Sequence, residues 1–215
     1  MKISSTVIGK MLATTLFVGL SLNVACAPVA KVQTSKANQL SQAYVWYDGD
    51  REQKIWMNPQ LVADFSKGAD KQTVLGANVI ATPVPTRHLQ AGVRMWKLGG
   101  STATAASTAI QSLQASQPAG KYSPVFHDGA SNSAGMRALP GNIIVYLDPS
   151  WDVAAVDTWL KAKKLEVVKK LEIGPNIYVL KTGPGLAALD TANALYKSGE
   201  VKAAFPDWWQ EIEVK

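Results

Sequence analysis

The sequence predicts an α+β fold: a ferredoxin-like βαββαβ antiparallel sheet with two helices on one face, preceded by a small β-rich subdomain. Three observations predict it. Between residues 139 and 205, short apolar β-branched runs alternate with segments of helical period in the order strand, helix, strand, strand, helix, strand. The two central strands flank Gly174-Pro175-Asn176, a turn signal that folds them into a hairpin. Upstream, apolar runs separated by Asp-Gly and Asn-Pro signals give the N-terminal half its β-rich reading.

The chain divides at composition changes. Residues 1–27 form a targeting segment: Lys2 and Lys10 bound a basic start, the apolar run 11–22 is too short to span a bilayer, and small residues follow. Export to the periplasm or the extracellular space is the expectation. Cys26 is the sole cysteine and follows the apolar run directly. Val24-Ala25-Cys26 matches a lipoprotein acylation site except for Asn23, and Ala25-Cys26-Ala27 matches an ordinary cleavage site except for Pro28. An outer-membrane lipid anchor on Cys26 and plain secretion therefore both stay open. With one cysteine, the fold carries no intrachain disulfide.

Residues 28–43 read as a polar, flexible leader. In the subdomain 44–138, residues 44–47 (YVWY) and 53–57 (QKIWM) flank Asp48-Gly49-Asp50-Arg51 as a hairpin. Asn58-Pro59 reads as N-cap and first residue of a short helix through Phe65. Residues 92–98 (GVRMWKL) and 122–126 are strands. The low-complexity stretch 101–120, rich in Ser, Thr, Ala and Gln, reads as a mobile loop or linker, although its alanines permit some helix.

In the module 139–205, residues 142–148 (NIIVYLD) form the first strand. Asp152 caps a helix carrying Val153, Val156, Trp159 and Leu160. Residues 166–171 and 177–182 form the hairpin. Residues 185–197 form a helix with Leu186, Leu189, Ala192 and Tyr196 along its apolar stripe, and Gly199 closes it. Residues 200–205 are the last strand, and Pro206 opens a C-terminal tail, 206–215.

Charge excludes one function class. The formal +6 splits into +2 for the targeting segment, +5 for residues 28–139 and −1 for residues 140–215, so the basic pI does not belong to the C-terminal module. Its strands lack the glycine–aromatic signature of an RNA-binding sheet, and no nucleic-acid partner is expected. The chemistry inventory is thin. There are two histidines, His88 and His127, no Cys-x-x-Cys, and no glycine-rich phosphate loop. His127 and Asp128 are sequence neighbours, so they do not face each other as base and orienting acid, and a surface-loop histidine is the expectation. Neither an enzyme nor a bound metal or cofactor is expected.

Of seven tryptophans, Trp46, Trp56, Trp96, Trp151 and Trp159 sit in or beside predicted elements, where core is the plain reading. Trp208 and Trp209 follow Pro206, outside the last predicted strand. Neighbouring side chains of an extended segment point in opposite directions, so one sheet face cannot bury both. Either one folds back onto the module, or at least one enters a partner's pocket.

The segments SPVFHDG (123–129), MRALPGNIIVYLDPSWD (136–152), IGPNIYVL (173–180), PGLAALDTANAL (184–195) and SGEVKAAFPDWW (198–209) together resemble the N-terminal pro-regions of bacterial subtilisin-like and kexin-like serine proteases. Such propeptides are intramolecular chaperones and inhibitors of the protease they precede. The protease's own His-Gly-Thr and Gly-Thr-Ser signatures are absent. The resemblance implies a chain that binds a subtilase in trans as folding chaperone, as product-like inhibitor, or as both. It implies a sheet face packed on the protease and a C-terminal tail lying in the active-site cleft. Trp208, Trp209, Ile212, Glu213, Val214 and Lys215 would be the protease-binding residues, with Lys215 nearest the nucleophile. The alternative is an envelope lipoprotein or small-ligand-binding module with no protease partner.

Overall fold

The structure is a computed structural model that describes residues 42–69, 73–84, 92–100, 102–129 and 135–211. All of them fall within one compact unit, Lys36–Lys215. The α+β class is the one predicted: the described residues form three helices and two antiparallel sheets.

The first sheet holds β1 (Ala43–Asp48), β2 (Arg51–Asp64), β3 (Ala81–Pro83), β4 (Arg94–Leu98), β5 (Tyr122–His127), β6 (Met136–Ala138) and β11 (Trp209–Gln210). Its spatial order is β11-β6-β5-β2-β4-β3, with β1 also paired to β2. The predicted hairpin is present: Asp48 pairs with Arg51 across a tight turn in which Gly49 takes φ +63°, a conformation glycine adopts without cost.

The helix expected from Asn58 to Phe65 is not formed. That segment is the second half of β2, the central strand. Asn58 and Pro59 mark a β-bulge, where the β2–β5 register shifts between Asn58 and Val62. The Gln60 N–H donates to Asn58 Oδ1 at 2.9 Å, so the side chain closes a local turn instead of capping a helix. Pro59 lacks an N–H and is tolerated at such an irregularity.

Residues 101–120 also differ from expectation. They contain α1 (Ala105–Ser116), with Ala106, Ile110 and Leu113 buried. These pack with Val62, Trp96, Leu98 and Tyr122 on the first sheet, and the Tyr122 hydroxyl donates to Gln117 Oε1 at 2.7 Å just past the helix end. The stretch is an ordered element, and its simple composition concealed a complete apolar stripe.

The second sheet holds β7 (Asn142–Tyr146), β8 (Glu166–Lys170), β9 (Ile177–Lys181) and β10 (Ala203–Pro206) in the order β10-β7-β9-β8, all antiparallel. Between them run α2 (Val153–Lys163) and α3 (Leu186–Ser198). Asp152 caps α2 as predicted, accepting from the Ala155 N–H at 2.8 Å, and Gly199 ends α3 at φ +70°. Asn176 sits at φ +54° in the hairpin turn and donates from its amide to the carbonyls of Asp148 and Trp151, which ties that turn to the start of α2.

Val156, Trp159 and Leu160 of α2 and Ala188, Leu189, Ala192 and Leu195 of α3 share one core with Ile143, Val145, Leu180 and Ala204. Alternation along the strands puts those four sheet residues on a single face. The same core includes Ile55, Met57 and Phe126 of the first sheet, so residues on both sides of position 138 bury one another.

The loop after β7 carries a charge-assisted anchor. Asp148 accepts from the backbone and hydroxyl of Ser150 and pairs with Lys202 at 3.1 Å. The Ser150 bonds, then Lys202, hold its carboxyl at about 2, below the usual carboxylate range. A depressed folded-state value adds stability above the unfolded-state value near 4, and that contribution is lost as pH falls from about 4 towards 2. Asp148→Asn should therefore flatten the dependence of the urea midpoint on pH over that interval. An unchanged acid limb would show that the anchor does not persist in solution.

Candidate functional site

The face of the second sheet opposite its helices is the best candidate. Ile144 lies opposite Val179 on one side and Phe205 on the other; Tyr146 lies opposite Ile177 and Ala203. None of these belongs to a core cluster. Val179 is shielded by its neighbours, whereas Ile144, Tyr146, Ala203 and Phe205 are partly exposed. The Tyr146 and Phe205 rings meet at 5.7 Å, which fixes an aromatic ridge on the face. One border is polar: Lys181 and Glu166, paired at 2.8 Å, sit on the same face, as does Lys169 opposite Val179. An apolar sheet face with a charged border can dock another protein surface.

The expected site residues are distributed differently. Trp208 and Trp209 are not free anchors. After Pro206 the chain crosses from the second sheet to the first, where Trp209 pairs with Ala138 and Gln210 with Arg137. Trp209 is 7% exposed and packs with Ala63, Met95, Val125 and Ala138, its ring 6.3 Å from that of Phe65. Trp208 turns to the opposite face, edge-on to Trp46 at 5.6 Å and to Phe126 at 5.8 Å. No single face buries both: the first sheet is covered on both faces, and the chain changes sheets to reach it.

Arg137 closes this region. Its guanidinium lies 5.8 Å from the Trp46 ring and 6.0 Å from Trp208, and its Nε meets Asp128 at 2.6 Å. The cation thereby covers the two indoles and is itself neutralised. His127 is not on a surface loop. It lies on β5, 3% exposed, with Nε2 3.2 Å from the amide of Asn58, which is buried at the bulge. Asp128 turns to Arg137, so the two neighbours do not act as a pair.

Cys26, His88, Ile212, Glu213, Val214 and Lys215 lie outside the described residues. Among the described residues no group of three or more His, Cys, Asp or Glu could hold a metal, and no helix is long and apolar enough to cross a membrane. Among the described residues, two clefts stand out. One of about 220 Å³ lies between α1 and the start of α3, lined by Ser107, Ile110, Gln111, Pro124, Gly185 and Leu186. The other, of about 320 Å³, lies between α1 and the strand-connecting loop at Asn78–Ile80. Neither gathers converging charged groups.

No family model, curated protein or solved structure matches the chain.

The resemblance implied a docking sheet face as well as the tail, but the residues that form that face were not named from the sequence. The signal was present. Asn142-Ile143-Ile144-Val145-Tyr146 is apolar at both parities, which marks a strand with apolar residues on both faces, whereas both helices occupy only one.

Proposed function

We propose that this chain is an exported, propeptide-like protein that binds a subtilisin-like or kexin-like serine protease in trans, as folding chaperone, product-like inhibitor, or both. The observation that carries the reading is the apolar face on which Ile144, Tyr146 and Phe205 lie outside the core clusters and remain partly exposed. The element order β7-α2-β8-β9-α3-β10 and the sheet order β10-β7-β9-β8 support a ferredoxin-like module. Its free face is the surface that a protease would occupy in the family the sequence resembles.

The mechanism is differential binding. A module that holds native protease more tightly than its unfolded states shifts folding towards the native form. Inhibition needs, in addition, an extended segment paired with a strand edge in the cleft. Trp208 and Trp209 are committed to the core, so that role falls to Ile212, Glu213, Val214 and Lys215. Lys215 would suit an acidic specificity pocket. Cys26, if acylated, would hold the complex at the membrane.

The test uses purified subtilisin-like and kexin-like proteases. Tyr146→Asp combined with Phe205→Asp should weaken binding by about a hundredfold, as loss of two aromatic anchors does at other interfaces. It should abolish acceleration of protease refolding. Deletion of residues 212–215 should weaken inhibition while leaving the refolding effect in place. A parent protein that neither inhibits nor accelerates refolding of any such protease would end the reading.

A further inference from the structure

A second surface borders that face. Among the described residues β8 is an edge strand of the second sheet, and all five of its residues are exposed, Val167 at 41% and Val168 at 50%. An edge presents a row of backbone N–H and C=O groups that can pair with another strand. We infer that β8 pairs, antiparallel, with β8 of a second copy of this chain, joining two four-stranded sheets across a twofold axis.

Charge and register argue for the second copy over another occupant. The strand reads Glu166-Val167-Val168-Lys169-Lys170. Antiparallel self-pairing about the point between Val167 and Val168 sets Glu166 opposite Lys169 of the other copy, and Val167 opposite Val168, each twice by symmetry. The faces agree as well. Glu166 pairs with Lys181 and Lys169 with Val179, and these two residues of β9 share one face.

In a regular strand, residues 166 and 169 would point to opposite sides. The bulge between Val167 and Lys169 brings them to the same side. The resulting row would run Lys181, Glu166, Lys169, with the signs alternating across the joint. Shifting by one residue sets Glu166 opposite Lys170, which lies on the other face with Tyr178. Edge lysines and a bulge discourage pairing with arbitrary strands. Only in the first of these registers does an edge lysine, Lys169, meet a carboxylate on its own face, so it selects the partner.

The only described charge contact of Glu166 is the ion pair with Lys181, whose side chains are 69% and 58% exposed respectively, so altering Glu166 costs the monomer little. The inference does not rest on the protease reading, because it uses the backbone edge of β8 and not the apolar side chains of Ile144 and Phe205.

The test is sedimentation velocity of the full chain over micromolar to millimolar concentrations. A reversible monomer–dimer equilibrium is expected. Glu166→Lys and Lys169→Glu should each raise the dissociation constant by about tenfold or more, through like charges set opposite one another. The two together should return it to within about threefold of the parent, since the pair is rebuilt with its signs exchanged. All three variants should melt with the parent. A monomer at every concentration, a dimer indifferent to both reversals, or a double variant as weak as the singles would each overturn the inference.

Discussion

Trp209→Ala should cost the protein about 3–5 kcal/mol, the range for removing a large aromatic from a packed core. For a folded unit of this size that corresponds to a fall in Tm on the order of 6–20 °C. Trp209 is 7% exposed and seals the face of the first sheet formed by Ala63, Met95, Val125 and Ala138. It is also where the chain returns to that sheet after leaving the second. Truncation there removes more than one side chain's packing. β11 supplies the pairing to β6, and Glu211 donates its N–H to the Met136 carbonyl at 3.0 Å. Trp208→Ala should cost less, because Trp208 is only half-buried, but it should also loosen Trp46 and Arg137, which pack against it. Gln210→Ala, on an exposed side chain of the same strand, is the control and should lie within about 0.5 kcal/mol of the parent. The measurement is urea and thermal unfolding of the three variants. A Trp209→Ala protein that melts with the parent would return the tryptophans to the free tail that the sequence suggested.

That contrast shows which parts of the fold the sequence exposed. The C-terminal elements were legible because their signals are local. Asp152 and Gly199 mark helix ends, the apolar stripes have helical period, and Gly174-Pro175-Asn176 forces a turn. The errors came where one local signal serves two structures. Asn-Pro opens helices and also forms bulges; only the pairing of Val62, Ala63 and Asp64 to strands on both sides decides between them. The exit at Pro206 was read as the end of structure because nothing local says that a second sheet with an open edge lies within reach. Which residues form the outward sheet face was not legible for a related reason. An apolar residue on a strand looks the same whether the fold covers it or leaves it bare. Ile143 and Ile144 are neighbours of identical chemistry, yet one lies beneath α2 and α3 and the other faces outward.

Leu113→Ala should cost about 2–5 kcal/mol and expose residues 102–116 to proteolysis. Composition argued for a mobile linker here, so the experiment discriminates sharply. Ala106, Ile110 and Leu113 recur at the spacing of one helix face, and Leu113 is 1% exposed. Its surroundings leave it little freedom: a methyl group added at Gly76 would come within 2.7 Å of Leu113 Cδ2, so the 73–76 segment already presses on the helix. Beneath it lie Val62, Trp96 and Tyr122, which cannot move in to fill a cavity without disturbing β2, the central strand. The helix has no side-chain cap at Thr104, no acidic residue in its first turn and no basic residue in its last, so packing must supply most of its stability. Losing about 2 kcal/mol of that packing should raise the population of the opened helix roughly thirtyfold, and cleavage within it in proportion. Sites in residues 142–205 should be cut at nearly the parent rate, because Leu113 belongs to a core separate from that of α2 and α3. The assay is limited proteolysis under native conditions, with fragments assigned by mass. Rapid cleavage of the parent within 102–116, or equal rates in parent and variant, would show that α1 does not pack on the sheet in solution.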